Sequence, residues 1–133
     1  MAQLGMFVPA RQARLCPVDA ILTRMGAYDN IFSNASTFKV ELDECCKILR
    51  DTTPQSFVIL DELGRGTSMY DGMAIAGAVL HQLAMHTLAL SFFVMHYGSL
   101  TDDFAYHPNI CNMHMETMVD DEKQVIQRST LLY

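Results

Sequence analysis

Phe57-Val58-Ile59-Leu60-Asp61-Glu62-Leu63-Gly64-Arg65-Gly66-Thr67 is the stretch whose reading decides the fold. Four apolar residues in a row after Pro54 suit a central strand of a parallel sheet, buried on both faces. The run stops at two carboxylates, Asp61 and Glu62, and enters a glycine-bearing loop, Gly64 to Thr67. In open α/β sheets ligands bind at the carboxyl ends of the strands, so a paired Asp-Glu there is a candidate site. If strand geometry continues, the two carboxylates point to opposite sides and can hold different roles. One can hold a magnesium ion, usually through water, and the other can polarise a water for attack. A solvated acidic turn at a strand end is the plain alternative.

Outward from this stretch the pattern alternates. Ile21 to Arg24 is a short strand candidate before Gly26. Ser36 to Arg50 carries Phe38, Leu42, Cys45, Cys46 and Leu49 at helical intervals, with Ser36 or Thr37 as cap and Glu41 in the first turns. Asp71 to Leu83 reads as a helix with Ile75, Ala78, Val79 and Leu83 on one face. Leu88 to Met95, interrupted only by Ser91, reads as a second buried strand closing on His96. A short helix over Tyr97 to Phe104 follows. Ile110 to Val119 and Val125 to Tyr133 are strand candidates joined by the acidic turn Asp120-Asp121-Glu122. Met1 to Val8, apolar and ending at Pro9, reads as the tail of a helix. Strand, helix and strand in alternation imply β-α-β crossovers and an α/β sheet.

Composition narrows the function. The 133 residues suffice for one domain, and half are hydrophobic, which is a globular composition. Nine Lys and Arg against fifteen Asp and Glu give a formal net charge of −6. That balance argues against a dedicated DNA-gripping surface, because phosphate contacts need clustered cations. Cys16, Cys45, Cys46 and Cys111 form no C-x-x-C pair and read as reduced thiols, with Cys45 and Cys46 as small core residues of a helix. The apolar run at Leu88–Met95 is too short to span a bilayer.

Three further features bear on chemistry. His96 ends its strand at the same edge of the sheet as Asp61 and Glu62, where it can touch a phosphate or position a water. Gly64 and Gly66 let backbone amides approach a partner closely, with Arg65 between them. Asn34-Ala35-Ser36-Thr37 opens a helix whose free amides suit an anion. For each, an ordinary structural role is the alternative. No G-x-x-x-x-G-K-[ST] occurs; the lysines are Lys39, Lys47 and Lys123, and none follows a glycine.

Taken together, Met1-Ala2-Gln3-Leu4-Gly5, Phe7-Val8-Pro9-Ala10, Leu22-Thr23-Arg24-Met25-Gly26-Ala27, Ser36-Thr37-Phe38 with Val40-Glu41, Asp61 to Thr67, Tyr70-Asp71-Gly72 and His96-Tyr97 resemble, in order, the ATPase domains of the MutS family. The resemblance covers essentially the whole chain. His107-Pro108-Asn109-Ile110 and Val119-Asp120-Asp121-Glu122 look most like the eukaryotic mismatch-binding branch, MutS homologue six of fungal type, with the branch that handles insertion loops as the close alternative.

The resemblance implies an ABC-type P-loop NTPase fold, a mostly parallel sheet with flanking helices. Over residues 1–133 it would be a partial C-terminal ATPase domain, truncated and lacking the phosphate-loop strand. It implies a Walker B strand at Phe57–Glu62, with Asp61 for magnesium through water and Glu62 as the base. It implies a signature loop at Asn34–Thr37, with Ser36 and Thr37 toward a partner's nucleotide, a dimer-crossing loop through Gly64 and Gly66, and a switch histidine at His96. ATP and magnesium are the implied cofactors of the intact protein, with no tight binding expected to this chain alone. The implied partners are a MutS homologue two-type subunit and mismatched double-stranded DNA, the latter through domains outside these residues, in the nucleus and with no membrane. Asn34 stands where the family usually has glycine, and Met95 where it usually has threonine. A non-catalytic interaction module, or a remnant unable to bind ATP, are the other readings of the same residues.

Overall fold

A computed structural model describes residues 1–25, 37–117 and 129–132. The chain divides into two compact units, Met1–His96 and Tyr97–Tyr133.

The first unit is built on three parallel strands in the order of the sequence: β1 (Ile21–Arg24), β2 (Phe57–Asp61) and β3 (Leu90–Val94). Val58 lies opposite Leu22 on one side and Ser91 on the other, and Asp61 opposite Val94. β2 is therefore the middle strand, as its unbroken apolar run requires. Helix α1 (Thr37–Asp51) crosses from β1 to β2, and α2 (Met69–Gln82) leads from β2 toward β3. Ser68 caps α2: its side chain accepts from the Asp71 amide and donates to the Asp71 carboxylate at 2.7 Å. This local bond satisfies one amide that the helix start would leave unpaired.

One core joins both helices to one face of β2. It contains Cys45 and Ile48 of α1, Val58 and Leu60 of β2, Leu63, and Val79 and Leu83 at the end of α2, with Leu22 and Phe93 packed against it. Val58 and Leu60 share a face by the two-residue strand period, so the two helices share that face as well. The other face, with Phe57, Ile59 and Asp61, is only half-covered. There Phe57 meets Phe92 edge to face, ring centroids 5.4 Å apart.

That one-sided layering corrects several expectations. β2 is fully buried on one face, not two. β3 is not a buried strand: Leu90 is 64 % exposed and Phe92 51 %, because among the described residues β3 has a strand neighbour on one side only. It is also shorter than expected, since Leu88 takes a left-handed φ of 56° after a π-helical turn, Leu83–Thr87. On α2 the buried residues are Gly72, Ala76, Val79 and Leu80, while Ala78 faces solvent. The face is rotated because the small residues Gly72 and Ala76 allow close approach. On α1 Cys45 is buried but Cys46 is exposed, and Ile48 takes the core position. Burial raises the Cys45 thiol to about 11. The amino terminus is not a helix tail: a 3-10 turn, Ala2–Leu4, closes on Gly5, and Phe7 is 96 % exposed.

In the second unit a short helix α3 (Gly98–Asp103) precedes β4 (His114–Thr117) and β5 (Ser129–Leu132). The two strands pair antiparallel, His114 opposite Leu132 and Thr117 opposite Ser129. The acidic turn 120–122 lies outside the described residues.

Candidate functional site at the carboxyl edge of the sheet

The edge where β2 and β3 end brings the sequence candidates together. Asp61 is the last residue of β2, half-buried on the open face. Glu62 does not continue the strand. Its φ is 51°, in the left-handed region that a non-glycine residue seldom occupies. The strand continuation on which divergence of Asp61 and Glu62 is conditional is not met, because the chain turns between them. Its amide still donates to the Val94 carbonyl at 2.9 Å, which ties the turn to β3.

The turn aims Glu62 at His96. The His96 Nε2 lies 2.7 Å from Glu62 Oε1, and Arg65 Nη1 donates to Glu62 Oε2. These contacts hold the Glu62 carboxyl below its ordinary range, the His96 bond first and the Arg65 bond second. Each carboxylate oxygen has two lone pairs, so both can still accept from a further donor. Glu62 is about a quarter exposed, while His96 and Arg65 are mostly exposed. Among the described salt bridges none involves the Asp61 carboxylate. Among the described residues no group of three or more His, Cys, Asp or Glu side chains is placed to hold a metal ion.

Gly64 and Gly66 are oriented differently from the sequence expectation. Their amides point inward, to one side chain: Gly64 N donates to Glu41 Oε1 at 2.6 Å and Gly66 N to Glu41 Oε2 at 3.2 Å. Gly64 has φ 92°, and a Cβ there would come within 2.6 Å of the Gly72 backbone. Glycine is required on both counts. Thr37 is the first residue of α1. Ser36, with Asn34 and Ala35, lies outside the described residues.

Sequence reasoning missed Glu41 and Arg24 as parts of this edge. Both are buried, at 3 % and 6 % exposure, and Arg24 Nη2 lies 3.2 Å from Glu41 Oε1. Arg24 Nη1 donates to the Asp61 carbonyl at 2.8 Å. A signal was present: Glu41, Cys45 and Ile48 fall at i, i+4 and i+7, so an acid sits inside an apolar helical stripe.

Comparison with known proteins places the chain. The MutS domain V family profile matches residues 1–131. The chain is 47 % identical over 133 residues to the DNA mismatch repair protein MSH6 of Saccharomyces cerevisiae, covering all of this chain and 10 % of that protein. It is 44 % identical over 133 residues to human Msh6, with the same coverage. To msh3 of Aspergillus fumigatus it is 50 % identical over 117 residues, 86 % of this chain and 10 % of that protein. The chain thus spans about a tenth of the length of the curated relatives it matches. The expected resemblance, to homologue six of fungal type with the insertion-loop branch beside it, is matched by relatives of both kinds. On the profile match and the full-length identities, this chain belongs to the MutS family of DNA mismatch-repair proteins and lies in the family's domain V.

Proposed function

We propose that these residues form part of an ABC-type ATPase domain whose ATP binding and hydrolysis drive mismatch recognition and clamp movement on DNA. The observation that carries this reading is the clamped Glu62. A carboxylate at the carboxyl edge of a parallel sheet is ionised, aimed and held by His96 and Arg65, next to Asp61. In that role Glu62 accepts a hydrogen bond from the attacking water and takes its proton. His96 fixes the carboxylate's orientation and is assigned as the histidine beside the terminal phosphate. Asp61 would hold magnesium through water. When bound, the ion neutralises charge on the phosphates. Ser36, Thr37 and the loop bearing Gly64 and Gly66 are assigned to nucleotide binding across a dimer. A MutS homologue two-type subunit is the proposed partner, in the nucleus, with mismatched DNA contacted by other domains of the protein.

The test is single-turnover ATP hydrolysis and nucleotide affinity in a full-length subunit carrying these residues. Glu62→Gln keeps the shape and loses the base, so hydrolysis should fall by about 10²-fold or more with binding nearly intact. Asp61→Asn should weaken the magnesium dependence. Hydrolysis at the parental rate in Glu62→Gln would overturn the assignment.

A second reading is a non-catalytic interaction module that offers its loops to a partner ATPase. In that case both carboxylate variants would be silent.

A further inference from the structure

Glu62 sits in a left-handed backbone conformation that its side chain does not favour, and such a conformation persists only where the surroundings over-determine it. Besides the bond from its own amide to Val94, the backbone around Glu62 is held by one buried ion pair. On the near side of Glu62, the Asp61 carbonyl accepts from Arg24 Nη1 at 2.8 Å. On the far side, the Gly64 amide donates to Glu41 Oε1 at 2.6 Å and the Gly66 amide to Glu41 Oε2 at 3.2 Å. Arg24 and Glu41 are bound to each other at 3.2 Å. The peptide group before Glu62 and, further along the loop, those ending at Gly64 and Gly66 are thus held by two side chains that are themselves locked together. Arg24 ends β1 and Glu41 lies in the first turns of α1, so the pair also fixes the start of that helix against the loop.

Burying a carboxylate and a guanidinium is unfavourable unless their remaining hydrogen-bonding capacity is met. Glu41 meets it with two loop amides, and Arg24 in part with a strand-end carbonyl. Arg24 Nε has no hydrogen-bond partner among the described residues, and Glu44 Oε2 lies 3.8 Å from it. A pair that served only to fill the core could be replaced by apolar side chains. This one is aimed at the strand-end carbonyl before Glu62 and at two amides of the loop after it.

We propose that Glu41, held by Arg24, is the positioning residue for Glu62: it fixes the loop 62–66 and thereby the aim of the base at its water. The proposal rests on the ATPase reading above and assigns no contact with nucleotide to Glu41 itself. Loss of the carboxylate therefore lowers the rate of the hydrolytic step and leaves the subunit's affinity for its own nucleotide in place.

The experiment uses the full-length subunit and the same single-turnover and affinity measurements, with Glu62→Gln run beside each variant. Glutamine at position 41 keeps one acceptor oxygen and sets an NH2 donor against one of the two loop amides. Glu41→Gln should slow hydrolysis about tenfold or more with affinity changed less than about twofold. Because Glu41→Gln takes from Arg24 its buried partner and can unfold the domain, two further variants accompany it. Gly66→Ala keeps every charge but puts a Cβ 3.0 Å from Glu41 Oε2 and 3.2 Å from the Phe38 backbone; it should reduce the same step about threefold or more. Arg24→Met with Glu41→Met replaces the pair by apolar chains and should recover the melting temperature without recovering hydrolysis. Recovery of hydrolysis together with stability in the double variant would mean a merely structural pair and overturn the proposal. So would parental hydrolysis in Glu41→Gln while Glu62→Gln is slow, an outcome that leaves the ATPase reading standing. Parental hydrolysis in Glu62→Gln itself would bring down both.

Discussion

At the residue scale the informative group is Glu62. Its carboxyl is held below the ordinary glutamate range chiefly by the bond to His96, then by Arg65. The sign follows from which form is favoured. A depressed value means the ionised carboxylate is stabilised in the folded chain, and that stabilisation is present above the ordinary glutamate pKa and lost as pH falls through the lowered one. Removing the larger cause should move the titration upward. In His96→Ala the Glu62 carboxyl, followed by carbon NMR across acid pH, should titrate nearer its ordinary value. An unchanged or lower titration in that variant would show that His96 does not set the charge of Glu62. The Asp-Glu pair and His96 were legible in the sequence because strand ends in α/β sheets carry sites. The left-handed turn at Glu62 was not, since nothing in a Leu-Asp-Glu-Leu string signals positive φ at a glutamate. Arg65 was visible between two glycines, placed to meet an anion or an acidic neighbour, and Glu62 is the neighbour it meets.

At the element scale the loop Gly64–Gly66 and the opposite edge of the sheet show how few bonds fix the layout. Gly64→Ala would combine a φ of 92° with a Cβ 2.6 Å from the Gly72 backbone, where neither side can yield. Strain of this kind costs on the order of 1–3 kcal/mol, so the variant should unfold at lower denaturant than the parent in an equilibrium titration. An unchanged midpoint would mean the loop relaxes away from α2. At the amino edge, Asp19 accepts from Thr53 Oγ1 and, at 2.8 Å, from Ser56 Oγ, clamping the approach to β1 onto the turn before β2. These bonds, Thr53 first, hold the Asp19 carboxyl below its ordinary value. Its contribution is therefore present above the ordinary aspartate pKa and fades as pH falls through the lowered one. Asp19→Ala should be less stable than the parent at neutral pH, and the difference should shrink toward pH 3. A gap that widened with acid would contradict this. Most element positions were legible: β2 from its apolar run, α1 and α2 from their spacing. The burial of each face was less so, because periodicity reports that a helix has an apolar side but not which small residues let it approach. Gly72 and Ala76 defined that side of α2, and Glu41 was hidden on the apolar stripe of α1 because an acid there reads as surface.

At the scale of the whole chain the question is what the assembled edge can do by itself. Hydrolysis of a nucleotide triphosphate is mostly positioning: backbone amides and a lysine cradle the phosphates, and the metal and base act on a target already held. Asp61, Glu62 and His96 supply the acting groups, but the sequence contains no G-x-x-x-x-G-K-[ST], and Lys39, Lys47 and Lys123 each follow a residue other than glycine. The amides of Gly64 and Gly66, which might have substituted, are engaged by Glu41. A formal net charge of −6 adds a repulsive background for a polyanionic ligand. Calorimetric titration of the 133-residue chain with magnesium-ATP should therefore show no saturable heat up to the millimolar range. The same titration with the phosphate-loop segment of a MutS-family relative supplied in the same polypeptide should show saturable binding. If the chain by itself bound magnesium-ATP with micromolar affinity, the phosphates would have to be held by groups other than a P-loop, and the edge described here would be a different kind of nucleotide site from the one proposed.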